Sequence, residues 1–339
     1  MSSRPFELTK PDLTAWRDGN TAIEGVWRFE SGRPGRDVLV SALVHGNELC
    51  GAWALLEALQ ANIRPRCGSL TLAFCNLPAF DRFDPLDTDR SRFVDQDFNR
   101  LWGAMPWKVA GLTPSVEQRR ALELQPVVER ADWLLDLHSM HAEGPPLGLT
   151  GLQRHHAEHA QAMGGPLILV ADAGHAAGAR MRDHGRWALD DLDAVSLLVE
   201  CGWHGALSSR VVALEMLHRF LVASGCVTAA DLPPHWLSGV GPGEQDVQSR
   251  AASSPAMDGA MTAAGTILHV THAITVQHGR APSFTQDWQT GQALPRAGTL
   301  IGHDGSADVL TPYDDCVLVM PSLAHATPGA TMVRLARLG

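Results

Sequence analysis

An apolar run, "VLVSALV", ends at His45, turns through Gly46 and Asn47, and gives way after Glu48 to a helical pattern, "LCGAWALLEALQ". A histidine at a strand end and a glutamate in the first helical turn can supply two of the three protein ligands that a catalytic zinc commonly takes, with one position left for water. A third ligand must come from elsewhere in the chain. By itself H-x-x-E is a weak signal, and a second copy exists at His155 and Glu158, with His159 at the i, i+4 spacing of a metal-binding helix face. That copy sits in a polar, Ala-rich pattern with no strand leading into it, and is expected to be a solvated helix face.

Two later apolar runs end in residues of the same chemical kind. "ADWLLDLHS" ends at His138, with Asp136 two residues earlier and so on the same face of an extended segment. A carboxylate beside a ligating histidine is the usual group that orients the ring. "VSLLVECG" ends at Glu200, an acid at the rim of an apolar site, where a raised pKa suits a general base or acid. Each residue taken alone is better explained as a polar strand end facing water. Their coincidence with the His45 corner favours a site. Between these runs, "DRSRFVDQDFNRLWG" spaces Arg92, Asn99 and Arg100 through a stretch without periodicity. Guanidinium forks suit carboxylates and developing oxyanions, and a surface loop with ordinary ion pairs explains the composition equally well.

The elements that must position these residues follow from hydrophobic patterning. Up to about Gly225, short apolar runs without polar alternation separate longer helical patterns. This predicts an α/β fold with a mixed, mostly parallel sheet flanked by helices, in which strand ends converge on the ligand site. From about residue 265 the runs shorten, alternate and are broken by Gly, Pro and Asp, which predicts a small C-terminal all-β domain. The division is drawn at residues 1–240 and 241–339, near a biased tract at 247–265.

Composition narrows the function. With a net charge of -10 and no basic cluster, nucleic acid is not an expected partner. Lys10 and Lys108 are the only lysines, which leaves almost no candidate for Schiff-base or carrier-lysine chemistry. Six scattered cysteines without C-x-x-C spacing read as reduced thiols. No stretch has signal-peptide or membrane-spanning character, so the expectation is a cytoplasmic protein without a membrane partner. A homo-oligomer is left open.

In order, "HGNE" at 45–48, "RFVDQDFNR" at 92–100, "DLH" at 136–138 and "VECG" at 199–202 resemble the motifs of the succinylglutamate desuccinylase/aspartoacylase family, relatives of the zinc carboxypeptidases. "NLPAF" at 76–80 resembles the family's N-P-x-A. The resemblance implies one zinc per chain held by His45, Glu48 and His138, with Asp136 orienting a ligand histidine. It implies Glu200 as the catalytic carboxylate, Arg92 polarising the scissile carbonyl, and Asn99 and Arg100 holding a substrate carboxylate. The implied activity is zinc-dependent hydrolysis of the amide of a small N-acyl amino acid. A carboxypeptidase-like or esterase activity and a non-catalytic metal or carboxylate binder are the alternatives. Members acting on N-acetylaspartate use a tyrosine and a further arginine shortly before the catalytic glutamate. Here the single tyrosine is Tyr313, and Arg180, Arg182 and Arg186 are unaligned candidates for that arginine.

Overall fold

Apolar runs rich in Val, Leu and Ala can be buried on both faces, and they form the strands of one large sheet. The computed structural model describes residues 6–103, 113–175, 177–238, 261–277, 282–324 and 327–339. The expected division at 240/241 and most of the biased tract at 247–265 lie outside the described residues.

The strands of the first two thirds are β1 (Val26–Glu30), β2 (Asp37–Ala42), β3 (Ser69–Phe74), β4 (Trp133–Met140), β5 (Leu147–Leu149), β6 (Ile168–Ala171) and β7 (Val195–Trp203). Those that follow are β8 (Ile267–Thr275), β9 (Ser283–Phe284), β10 (Ala293–Leu294), β11 (Leu300–Asp304), β12 (Ala307–Leu310), β13 (Cys316–Val319) and β14 (Thr331–Leu338). The helices are α1 (Leu49–Gln60), α2 (Leu77–Asp81), α3 (Val116–Arg130), α4 (Arg154–Met163) and α5 (Leu207–Ala223). The large sheet runs β1-β3-β2-β4-β7-β5-β6-β8-β14-β13-β10. Pairing is parallel across β3-β2-β4-β7 and across β5-β6-β8, and antiparallel elsewhere. The parallel character expected from the sequence therefore holds in two blocks, joined antiparallel at β7–β5, with antiparallel strands at both ends.

Helices α1, α4 and α5 pack on one face through Leu55, Met163, Phe220 and the odd-numbered residues Leu135, Leu137, Leu197 and Val199. Each fully buried leucine there contributes about 1.5–3 kcal/mol of transfer free energy. On the opposite face α3 covers Leu39, Ala73 and Leu134 through Ala121, Leu124 and Val128. Period-two alternation places Asp136, His138 and Glu200 on this second face.

The β-rich C-terminal part contributes a separate antiparallel sheet, β12-β11-β9. Its other strands extend the large sheet: β8 pairs parallel with β6, and β14 pairs antiparallel with β8. One continuous face thus runs from the β4–β7 pair to β14.

Candidate metal centre and its surroundings

The strand leading to His45 is shorter than its apolar run. β2 stops at Ala42 because Leu43 adopts a left-handed backbone with φ of 57°. That conformation costs a leucine roughly 1–2 kcal/mol. It re-aims the chain so that His45 and Glu48 turn back over the sheet. Gly46 is required at this turn: a Cβ there would lie 2.3 Å from the Ala79 carbonyl carbon, 2.4 Å from Phe80 N and 2.5 Å from Ser91 O. The Gly46 N–H donates to Arg92 O at 3.1 Å, which ties the corner to the arginine-bearing loop. Glu48 occupies the N-cap of α1 but makes no capping hydrogen bond.

The Glu48 side chain is spent on the two histidines. Its Oε1 lies 2.7 Å from His45 Nδ1 and its Oε2 lies 2.7 Å from His138 Nδ1. Each ring's other nitrogen meets its own carboxylate: His45 Nε2 is 3.0 Å from Asp97 and His138 Nε2 is 2.9 Å from Asp136. Ser41 in turn donates to Asp136 at 2.7 Å. Both imidazoles therefore have Nε2 held by an acceptor and Nδ1 directed at the shared centre. Burial pushes the Glu48 carboxyl up, yet the two facing imidazoles outweigh it and hold Glu48 well below the usual range. Burial likewise disfavours the His138 cation, and Asp136 and Glu48 outweigh it and raise His138.

His45, Glu48 and His138 are all buried, and one ligand atom from each falls within 4.8 Å of the others. Two imidazole nitrogens and a carboxylate make up the donor set that zinc takes in catalytic sites, so these residues can hold a metal ion. Among the described residues this is the one such group.

Glu200 reaches the centre by strand register. In the β4–β7 ladder His138 lies directly opposite Glu200, within β7 and three residues before its end. Burial, and then the nearby Glu48 carboxylate, push Glu200 up to about 8, with His138 and Arg92 acting against them. Its Oε2 is buried and has no hydrogen-bond partner in the protein. A buried, unpartnered carboxylate oxygen beside the His138 imidazole is placed for proton transfer.

The loop of Arg92 has no periodicity because its hydrogen bonds go to side chains. Buried Glu117 in α3 accepts from the N–H groups of Val94 (2.6 Å), Asp95 (3.0 Å) and Gln96 (3.2 Å). This brings Arg92 to 3.7 Å from Glu48 Oε1 and 3.1 Å from Asp97. Burial raises Asp97, but His45, Arg92 and Arg100 outweigh it and hold this carboxyl below its ordinary value. Asn99 is buried, and its side-chain oxygen accepts from Met181 N at 2.8 Å, leaving its amide nitrogen as the donor end. Arg100 donates to Asn99 O at 2.8 Å and stands 3.8 Å from Asp97.

Asp97 and Glu117 escaped the sequence reading. Asp97 lies inside the quoted loop motif, two residues before Asn99, and that position was its only signal.

The second H-x-x-E behaves differently from expectation. Only one side of α4 is solvated: Glu158 pairs with Arg154, while His155 is buried with Nε2 2.9 Å from Ala194 O. His159 lies edge-on to Trp133, with ring centroids 5.1 Å apart. A short strand, β5, also precedes the helix. Of the three unaligned arginines, Arg180 is bound bidentately by Asp172 at 2.7 and 3.1 Å and by Asp183 at 2.6 Å. Arg182 is buried against Asp183 and Ser196, and Arg186 pairs with Asp132 and Asp191. Tyr313 bonds to Thr271 at 2.5 Å beneath the Arg337 guanidinium, a cluster on the C-terminal strands that includes none of the site residues.

Fold and site together describe an α/β protein with a buried His-Glu-His centre at the convergence of its strand ends. Residues 34–213, more than half of the chain, match the succinylglutamate desuccinylase/aspartoacylase catalytic domain. The chain belongs to that family. Among solved structures it is similar to succinylglutamate desuccinylase from Vibrio parahaemolyticus, with 16% identity over 93% of this chain and 86% of that one and a TM-score of 0.58. It is also similar to the product-bound ectoine utilization protein EutE (DoeB) from Ruegeria pomeroyi, with 16% identity over 97% and 92% of the two chains and a TM-score of 0.57. Murine aminoacylase 3 has 19% identity over 91% and 97%, with a TM-score of 0.55. At these identities the likeness shows the fold alone. Among curated proteins no match is found. Among the described residues no helix is long and apolar enough to cross a membrane.

Proposed function

We propose that the protein is a zinc-dependent deacylase that hydrolyses the amide of a small N-acyl amino acid. The observation that carries this reading is the register that sets Glu200 opposite His138, beside the His45–Glu48 corner, within the family-matched residues. His45, Glu48 and His138 hold one zinc, which when bound acidifies water and polarises the amide carbonyl. Asp97 and Asp136 keep each Nδ1 directed at the centre. Glu200 takes the proton of the attacking water at a carboxylate oxygen and returns it to the leaving amine nitrogen. Arg92 donates to the carbonyl oxygen as negative charge develops there. Arg100 and the Asn99 amide nitrogen hold a carboxylate of the substrate, fixing the amide against Glu200.

The test is a panel of N-acetyl and N-succinyl amino acids, short peptides and esters, run on protein whose metal content is measured. The reading expects about one zinc per chain and fastest turnover on an N-acyl amino acid. Faster cleavage of peptides or esters points to the carboxypeptidase-like or esterase alternative. Stoichiometric zinc without hydrolysis across the panel points to a binder.

A further inference from the structure

Away from the His45–Glu48–His138 centre, a second polar site lies at the C-terminal end of α3. Glu129 stands in the last turn of that helix, and His184 just ahead of the Gly185–Ala188 turn. Arg186 and Trp187 of that turn bond to Asp132, next to the start of β4 at Trp133, whereas His138 lies near the other end of β4. At ~3.3 Å per residue the start of the strand and His138 are roughly 16 Å apart.

The tautomer of His184 follows from its neighbour. Its Nδ1 lies 2.5 Å from the carbonyl oxygen of Trp102. A carbonyl only accepts, so Nδ1 carries the hydrogen, and in the neutral ring Nε2 presents a lone pair. That Nε2 is buried and makes no hydrogen bond, and the group facing it is Glu129 Oε1 at 3.5 Å. A lone pair and a carboxylate turned toward each other repel unless a positive charge lies between them. A proton would close the pair into a hydrogen bond, which the geometry here does not make. Gln125 donates to Glu129 Oε1, and Oε2 has no partner among the described residues.

The separation suits a shared metal ion. Zinc bonds imidazole nitrogen at about 2.0–2.1 Å and carboxylate oxygen at about 2.0–2.2 Å, which at a tetrahedral angle sets the two donors about 3.3–3.5 Å apart. A ligating histidine commonly donates its other N–H to a backbone carbonyl, as His184 does to Trp102. A cavity of about 300 Å³, open to solvent, is lined by Val128, Glu129, His184, Gly185, Arg186 and Trp187. Nothing lies within 4 Å of the point where a Cβ would sit on Gly185, so water has room to complete a coordination shell. The carbonyl end of α3 also favours a cation. Arg186 is held by Asp132 at 2.6 Å and Asp191 at 2.8 Å, so its charge is already answered by two carboxylates.

We propose that His184 and Glu129 form a second binding site for a zinc-type divalent cation, with water completing its shell. The ion braces the fold. His184 N donates to Met181 O at 3.0 Å, and Met181 N donates to the Asn99 side-chain oxygen at 2.8 Å. An ion that ties His184 to α3 therefore also steadies the segment on which Asn99 leans. The proposal does not depend on the deacylase reading. With two protein donors against three, this ion is the weaker of the two, so protein freed of excess metal keeps the first and takes up the second only as free zinc is raised.

Equilibrium dialysis of the full chain against rising free zinc, with metal and protein both quantified, tests the proposal. Wild type is expected to approach about two zinc per chain. His184→Gln and Glu129→Gln should each weaken the second uptake by at least about 100-fold, the upper end of what loss of an outer-shell partner costs, and leave the first intact. Glu129 is 51% exposed, so Glu129→Gln reads the site even where His184→Gln does not fold. The melting temperature of wild type should keep rising after the first ion is bound, and that of both variants should level off. His138→Ala should lose the first ion and keep the second. Wild type that stops at one zinc, or variants that take up the second as wild type does, overturn the proposal. Loss of the second ion in His303→Gln overturns it as well, since the exposed His303–Asp308 pair at 3.0 Å offers an adventitious surface site. Uptake that depends on His184 but not on His138 sinks the deacylase reading and leaves this site standing; uptake that depends on His138 alone does the reverse.

Discussion

Asp97→Asn probes whether the carboxylates behind the two histidines set metal affinity. The change is nearly isosteric and removes the charge that faces His45 Nε2 at 3.0 Å and Arg92 at 3.1 Å. The His45 side chain is 5% exposed and that of Asp97 20%, so solvent screens the contact only partly. A charge-assisted hydrogen bond in such a setting contributes about 1.5–3 kcal/mol. Loss of an outer-shell partner of a ligating histidine typically lowers metal affinity 10–100-fold, or about 1.4–2.7 kcal/mol. The two ranges agree, so Asp97→Asn should weaken zinc binding by one to two orders of magnitude. The assay is competition with a chromophoric chelator at fixed pH, with the melting temperature of the metal-free protein as a check on folding. Asp136→Asn, acting on His138, should give a loss of similar size. Because Arg92 also loses its partner, kcat on zinc-saturated protein should fall beyond what metal loss explains. Zinc affinity within twofold of wild type in a folded Asp97→Asn protein would falsify the assignment of Asp97 as the orienting group.

Glu200→Gln should retain stoichiometric zinc yet lose at least about 100-fold in kcat, since general-base catalysis contributes about 10²–10⁴; near wild-type turnover rules out the proton-transfer role. Gly46→Ala would drive a Cβ into three backbone atoms and should destabilise by at least the ~3 kcal/mol upper end of overpacking, read as a lowered melting temperature; an unchanged melting temperature contradicts the close approach. Buried His156 accepts from Ser196 N at 3.3 Å and donates to Trp187 O at 3.1 Å, and burial, then Arg182, push it down to about 3. Below pH 6.5 the unfolded chain binds a proton that the folded His156 refuses, so stability falls with pH, by about 1.4 kcal/mol per unit for that one group. Urea unfolding should lose about 2 kcal/mol from this group between pH 7 and pH 5, steepening toward the full slope at the acid end, and His156→Gln should lose less; equal losses would show that His156 is not the source.

The alternation of apolar runs and helical patterns was enough to predict strands β2, β4, β6 and β7, because runs buried on both faces are mostly Val, Leu, Ile and Ala, with a buried acid only where β4 and β7 approach the site. Three of the four motifs were enough to nominate His45, Glu48, His138 and Glu200, since each stands at or near the end of an apolar run. Local sequence could not show that β2 stops early at a left-handed Leu43, because that conformation is sustained by packing around it and not by any preference of leucine. Nor could it show that one side of α4 is core, since His155 becomes an interior residue only when Ala194 O comes to meet it.

The sequence by itself supplied the donor types of the candidate metal centre and the acid near it, because residue identity is written in the chain and the four motifs resemble those of the family. Only the tertiary structure decided how they are held and what surrounds them. Glu117 fixes the Arg92 loop across the gap to α3, Asp97 reaches His45 over 52 residues, and Asn99 is tied to Met181 over 82. The physical reason is that a charged group's role depends on which opposite charges are already taken by its neighbours. Those neighbours are chosen by which loops and strands the fold brings to the ends of β2, β4 and β7, pairings that no single stretch of the chain encodes.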